Sequence, residues 1–245
     1  MENIIELDDI HFSDHEGRKI VQGVSIKYKP GKTTAIIGPS GGGKSTVLKL
    51  SAGLLQPSHG AVFYKGQNVA LMNRSDNLEF RREGAFVFQD SALWANMDLF
   101  QILELPLKIH YPKMTKQQRK DRITEITAEV GYRKNLTVRP STLSMGEQKL
   151  IAYSRAMLCN PSLLFLDEWT ESMDETSAER LVTLVKKKQS GGATILFVSH
   201  DMRVIKDLAD FIIVIADGKV VINTPKDQII GNLSLKDLEK MGVVL

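Results

Sequence analysis

Two hydrophobic periods alternate along the chain, and the places where one gives way to the other outline its elements. Ile4 to Ile10 and Val21 to Tyr28 alternate loosely between apolar and polar, the two-residue period of a strand with one buried face. Pro30-Gly31 marks a turn. Thr33-Thr34-Ala35-Ile36-Ile37 is then β-branched and apolar, which predicts a strand buried on both faces. Ala61 to Tyr64, closed by Lys65-Gly66, predicts another short strand. From about Ser91 to Ser154 the β-branched density falls and the spacing turns helical, with Pro106, Pro112 and Pro140 predicted to break the stretch into pieces. After Asn160-Pro161 strand and helix alternate again. Leu163 to Leu166 reads as a strand, and Ala178, Leu181, Val182 and Val185 mark one face of a helix that Gly191-Gly192 ends. Thr194 to Val198 is the next strand. Phe211 to Ile215, the Asp217-Gly218 turn and Lys219 to Ile222 predict a hairpin.

This rhythm predicts an α/β fold with a mainly parallel sheet over residues 1–225. A helical insertion over 91–154 splits it, and an amphipathic helical tail over 226–245 follows. Composition then acts by exclusion. The chain has 245 residues, 42% hydrophobic and 25% charged, enough for a large core without covalent staples. A net charge of +3 from scattered basic residues does not announce nucleic acid, and no nucleic-acid partner is expected. The single cysteine, Cys159, leaves no internal disulfide or Cys-rich zinc module, and reads as a small core residue. The longest clean apolar run, Phe211 to Ala216, is far short of the roughly 20 residues that span a bilayer. Lys186-Lys187-Lys188 sits in the last turns of a predicted helix, where cations suit the dipole.

Candidate chemistry begins at Gly38-Pro39-Ser40-Gly41-Gly42-Gly43-Lys44-Ser45, which fits G-x-x-x-x-G-K-[ST] between a predicted strand and a predicted helix. Glycines let the backbone curl so that successive N–H groups point at one anion, and the helix that runs on through Thr46 adds its positive end. Lys44 would reach the β- and γ-phosphates, and Ser45 would offer its hydroxyl to Mg²⁺. These features predict a nucleoside triphosphate site. The strand Leu163 to Leu166 delivers Asp167-Glu168 at its end, where parallel sheets place ligands. Asp167 suits the metal, and Glu168 suits a general base on the attacking water.

With these two motifs and four more in order, the sequence resembles the ATP-binding cassette ATPases from about Ile4 to about Asn223. Phe86-Val87-Phe88-Gln89-Asp90 resembles the Q-loop, which implies that Gln89 touches Mg²⁺ and the attacking water. Leu143-Ser144-Met145-Gly146-Glu147-Gln148 resembles the signature sequence, Glu171-Ser172-Met173-Asp174 the D-loop, and Val198-Ser199-His200-Asp201 the switch region, whose His200 would contact the γ-phosphate. The resemblance implies a P-loop NTPase (RecA-like) core with an antiparallel β subdomain and an inserted helical subdomain. It also implies ATP and Mg²⁺ as cofactors, and a second ATPase subunit, most simply a second copy, with Ser144 and Gly146 contacting the partner's nucleotide. Met145, Glu147 and Trp169 depart from the family pattern. Met145 makes the backbone bulkier and less free in φ, and Glu147 places a negative charge near an anion. An aromatic in the N-terminal segment usually stacks on adenine: Phe12 qualifies by residue type and His15 by its offset from Lys44.

Only some 55 positions separate Gln89 from Ser144, too few for the long coiled coils of the DNA-repair and chromosome-structure relatives. The translation-type relatives carry two cassettes, and one is read here. A transport cassette without a span would borrow a separate integral membrane permease and sit peripherally on the cytoplasmic face of the inner membrane. Its docking surface would lie beside the Q-loop, where Trp94, Met97 and Phe100 recur at helical spacing. From Phe88 to Trp94, Met97 to Phe100 and Leu105 to Leu107 the sequence is similar to the Mla-type ATPases, which implies phospholipid transport and an MCE-domain partner. A lipoprotein-release or cell-division cassette, a solute importer and a non-transport cassette are the other readings, in that order.

Overall fold

The computed structural model describes residues 3–230. Among the described residues ten strands form two sheets. The smaller is antiparallel, in the order β2 (Lys19–Tyr28), β1 (Ile5–Ser13), β4 (His59–Tyr64), β5 (Gln67–Asn68). The larger has the order β10 (Lys219–Pro225), β9 (Phe211–Ala216), β3 (Thr33–Ile37), β8 (Thr194–Val198), β7 (Leu163–Asp167), β6 (Gly84–Val87). Its strands are parallel except β10, which returns from β9 as the predicted hairpin.

The period-2 rule, with both faces buried, explains why β3, β7 and β8 are apolar apart from Thr33, Thr34, Asp167 and Thr194 at their ends. Ala35, Ile37, Leu164, Leu166, Ile195 and Phe197 face one core. Their neighbours Ile36, Leu163, Phe165, Leu196 and Val198 face the other, shared with the small sheet and with helix α1 (Lys44–Ser51). The first core takes in α3 (Leu99–His110), α4 (Lys116–Glu129), α5 (Met145–Met157) and α6 (Glu175–Ser190). Buried Glu104 on α3 is matched there by Arg119 of α4 at 2.8 Å and by Lys108 at 2.6 Å.

The structure corrects several expectations. Pro106 lies inside α3, which runs through it from Leu99 to His110. A proline forfeits one helical hydrogen bond, but packing of Leu99, Ile102, Leu103 and Leu107 into the core outweighs that loss. Trp94 and Met97 occupy a turn before α3, closed by Met97 N–H to the Trp94 carbonyl, so they share no helical stripe with Phe100. Cys159 is half-buried rather than core, and burial pushes its thiol up to about 11. Helices α2 (Arg74–Glu83) and α7 (Met202–Leu208) and strand β6 were not anticipated. The three lysines end α6 as expected and reach Asp207, Glu129 and Asn160 respectively. Of the tail, Lys226–Ile230 forms α8, and positions 231–245 lie outside the described residues. Among the described residues no helix is long and apolar enough to cross a membrane.

Candidate functional site

Parallel register brings the motifs to one edge. Ile36 pairs with Val198, Val198 with Asp167, and Leu166 with Val87, so β3, β8, β7 and β6 end nearly level. The segments that leave them carry Gly38 to Lys44, Ser199-His200, Glu168 and Gln89.

The glycine-rich loop is a backbone construction. A Cβ at Gly38 would lie 2.0 Å from the Ile215 carbonyl oxygen of β9, and Gly38 has φ of +141°. Gly43, the N-cap of α1, has φ of +98°, and a Cβ there would lie 2.8 Å from the Ile20 carbonyl oxygen. Only glycine meets both demands. Ser40 and Gly41 are exposed, Gly42 and Gly43 are buried, and Pro39, Lys44, Ser45 and Thr46 lie in between. Lys44 donates through Nζ to the Gly38 and Pro39 carbonyls, both at 2.8 Å, and burial draws its pKa down. An ammonium held on two carbonyls is poised to exchange them for a stronger acceptor.

Ser45 donates its hydroxyl to Asp167 Oδ1 at 2.8 Å across 122 residues of sequence. Glu168 follows with φ of +43°, a left-handed backbone uncommon for a residue with a side chain. Its N–H donates to the Val198 carbonyl of β8, which seats it beside the switch segment. His200 Nδ1 lies 3.1 Å from Glu168 Oε2. Gln89 is exposed, and its amide donates to Glu171 Oε2 of the D-loop segment at 2.8 Å. The structure therefore gathers Lys44, Ser45, Asp167, Glu168 and His200, and turns Gln89 toward the D-loop carboxylate of Glu171, a contact the sequence does not predict.

Ser144 lies apart from this group. It caps α5, accepting from Glu147 N–H while Glu147 accepts from Ser144 N–H. Position 145 is the first turn of an ordinary helix, so Met145 brings no φ conflict, and its side chain is 63% exposed. Nor is the Glu147 charge left bare. Lys134 binds it at 2.5 Å, and that hydrogen bond holds the carboxyl below its usual range. Lys134 was missed because nothing local ties it to a residue 13 positions on. A Cβ at Gly146 would come no closer than 4.0 Å to the Met173 Cα, so that glycine is not required by its own chain. Trp169 is fully buried and packs edge-on against Phe197. Phe12 sits in β1 opposite Val21, partly packed against the core, whereas His15 lies in the exposed β1–β2 turn.

Mg²⁺ prefers hard oxygen donors, and the Ser45 hydroxyl bonded to the Asp167 carboxylate is such a set. Burial raises the Asp167 pKa, opposed by the Ser45 hydrogen bond and by Lys49, Lys44 and Lys149. A raised carboxyl pKa disfavours the folded state above that pKa. The penalty fades as pH falls through it and is gone below the ordinary aspartate value. Asp167→Asn is therefore expected to stabilise the nucleotide-free chain by roughly 0.5–2 kcal/mol at neutral pH while removing Mg²⁺-dependent turnover. Thermal melts of the nucleotide-free chain check the first half, and a phosphate-release assay with and without Mg²⁺ checks the second.

The chain matches the ABC transporter family over residues 21–171. It is 30% identical over 236 residues to the intermembrane phospholipid transport system ATP-binding protein MlaF of Haemophilus influenzae, covering 96% of this chain and 89% of the relative. It is 33% identical over 210 residues to the nickel import ATP-binding protein NikE of Shigella flexneri, covering 84% and 78%. Among solved structures, a dimeric post-hydrolysis ATP-binding cassette bound to ADP and Pi superposes with a TM-score of 0.82 at 28% identity, covering 90% of this chain and 98% of that one. The fold is thus that of the ABC cassettes, a P-loop NTPase core with an antiparallel β-sheet beside it. With more than half its length matched to the family and its motifs gathered at one sheet edge, the chain belongs to the ABC transporter ATPases.

Proposed function

We propose that this chain is the ATP-hydrolysing subunit of a membrane transporter, closing as a homodimer around two ATP and driving a separate permease. The observation that carries the reading is the convergence of Lys44, Ser45, Asp167, Glu168 and His200 at one sheet edge, with Ser144 capping a helix whose N-terminus faces solvent. Gly38 to Thr46 cradle the triphosphate, and Lys44 moves from the Gly38 and Pro39 carbonyls to the phosphates. Ser45 and Asp167, joined by Gln89, hold Mg²⁺, which screens the phosphate charge when bound. Glu168 takes a proton from the attacking water. His200, set by its contact with Glu168, donates to the γ-phosphate. Ser144 and Gly146 offer their helix N-terminus to the partner's γ-phosphate. The base of the nucleotide stacks on Phe12 or on His15.

Residues 1–225 serve as the nucleotide-binding unit in this reading, with 91–154 as its helical insert. The permease docks in the groove of about 460 Å³ beside the Q-loop, walled by Phe86, Phe88, Trp94, Pro106, Ile109 and Arg155. Arg155 stiffens that wall by holding the Ser91 and Ala92 carbonyls while its guanidinium covers the Trp94 ring at 5.4 Å. The assembly sits at the cytoplasmic face of the inner membrane. Resemblance to MlaF over nearly the whole chain favours phospholipid as cargo, with an MCE-domain protein as a further partner. NikE supports the solute-importer reading less strongly, because it matches over a smaller share of both chains. The test is co-purification: a tagged Glu168→Gln chain is loaded with ATP, membranes are extracted gently, and the partners are identified. A multi-span permease with an MCE-domain protein is the expected result. Another permease would keep the motor and discard the lipid cargo, and soluble partners or DNA alone would sink transport.

A further inference from the structure

One buried charge is left unused by this reading. Lys149 lies on α5, five positions beyond Ser144, with 3% of its surface exposed. Its ammonium donates to the main-chain carbonyl of Glu168 at 2.7 Å. The same carbonyl also accepts from Glu171 N–H at 3.2 Å, and the Glu168 N–H is held by Val198. The Glu168 backbone is therefore held from α5, from β8 and from within its own turn while it adopts φ of +43°.

Burying an ammonium is costly, and a residue of Lys149's size could fill the same space with carbon alone. Burial indeed lowers the Lys149 pKa, while Glu171, Glu168, Asp167 and Asp90 act to keep the charge. The polar end binds the peptide unit that follows Glu168, one of the two that set where its carboxylate points, 3.1 Å from His200. The helix that carries Lys149 is also the helix capped by Ser144.

We propose that Lys149 is a positioning residue for hydrolysis: its bond to the Glu168 carbonyl fixes the left-handed turn that aims the Glu168 carboxylate, and it ties that turn to the helix presented to the partner's nucleotide. The inference rests on Glu168 and Ser144 having the roles given above. A shift of α5 on dimer closure is then felt directly at the base of the same chain. Lys149 itself does not touch the nucleotide, so it acts on turnover rather than on binding.

The test compares Lys149→Met with Lys149→Arg, which restores a donor of similar reach, and with Glu168→Gln as control, all in the full chain with its membrane partner present. Steady-state kcat and KM for ATP are measured, together with the affinity for a fluorescent ATP analogue, which reads binding without turnover. The expected result is a kcat loss of at least tenfold in Lys149→Met, with KM and analogue affinity within threefold of the parent. Lys149→Arg should recover at least a third of the parent kcat. Should the Met variant not fold, Lys149→Gln, whose amide ends one bond short of the Lys149 ammonium and so loses the bond to the Glu168 carbonyl while staying polar, takes its place against Arg. Retention of more than half the parent kcat, an equal loss in analogue affinity, or an Arg variant as slow as Met would each overturn the proposal. Parent-like turnover in Glu168→Gln would instead overturn the assignment of Glu168. A silent Glu168→Gln beside a fast Lys149→Met would overturn only the role of Lys149.

Discussion

Glu168→Gln is expected to lower the ATPase rate by roughly 10²–10⁴-fold, the usual contribution of a positioned general base, while leaving nucleotide affinity nearly intact. The amide keeps the size of the side chain and its reach to His200, now at 3.1 Å from the carboxylate, but it cannot accept a proton from water. The groups assigned to phosphate and metal, Lys44, Ser45 and Asp167, are untouched by the change. A phosphate-release assay gives the rate, and equilibrium binding of a fluorescent ATP analogue gives the affinity. A rate within tenfold of the parent would remove Glu168 from the role of base. A parallel collapse of binding would instead show that the carboxylate supports the loop and not the chemistry.

Trp169→Ala is expected to cost about 3–5 kcal/mol of stability, the range for deleting a large buried aromatic from a packed core. In a chain of this length that corresponds to a thermal midpoint lower by about 10 °C. The ring is fully buried and meets Phe197 edge-on at 5.4 Å between centroids, so its removal opens a cavity under the Glu168 turn. Trp169→Phe should cost far less. Among the described residues the indole Nε1 is one of a few buried polar atoms with no hydrogen-bond partner, and phenylalanine removes that orphan along with some volume. Chemical denaturation of the two variants orders them. An alanine variant as stable as the phenylalanine one would mean that the site collapses freely and that the ring is not a structural wedge.

The legible and illegible parts of this chain divide along physical lines. Strands β3 and β8 could be read to the residue because both faces of each are buried, which forces an unbroken β-branched and apolar run. Helix α2 escaped because Phe80 is its one buried residue, so it carries almost no apolar periodicity. Helix α7 is only seven residues long. Pro106 was overread: a local rule about helix breaking met a core that rewards the helix for continuing. In the site, the loop and the acidic pair were visible because each is a compact local pattern, whereas His200 came only with the resemblance to the ATP-binding cassettes. Lys134, Lys149 and the bond between Gln89 and Glu171 were not visible, since each depends on a partner brought close only by the fold. A lysine set among the apolar Leu150 and Ile151 of α5 was the one hint at Lys149.

The strand order of the large sheet has a consequence for how the protein is made. Strand β3 leaves the ribosome early, yet its neighbours β8 and β9 begin only at Thr194 and Phe211, most of the chain later. Until they arrive, Thr33 to Ile37 is an apolar segment with two unpaired edges, and the phosphate loop that follows it lacks Asp167, the Ile215 carbonyl it packs against, and His200. Such late, long-range pairing slows folding and prolongs exposure to aggregation. ATP gains its full grip only once that last pairing is made, so by mass action it selects finished chains over growing ones.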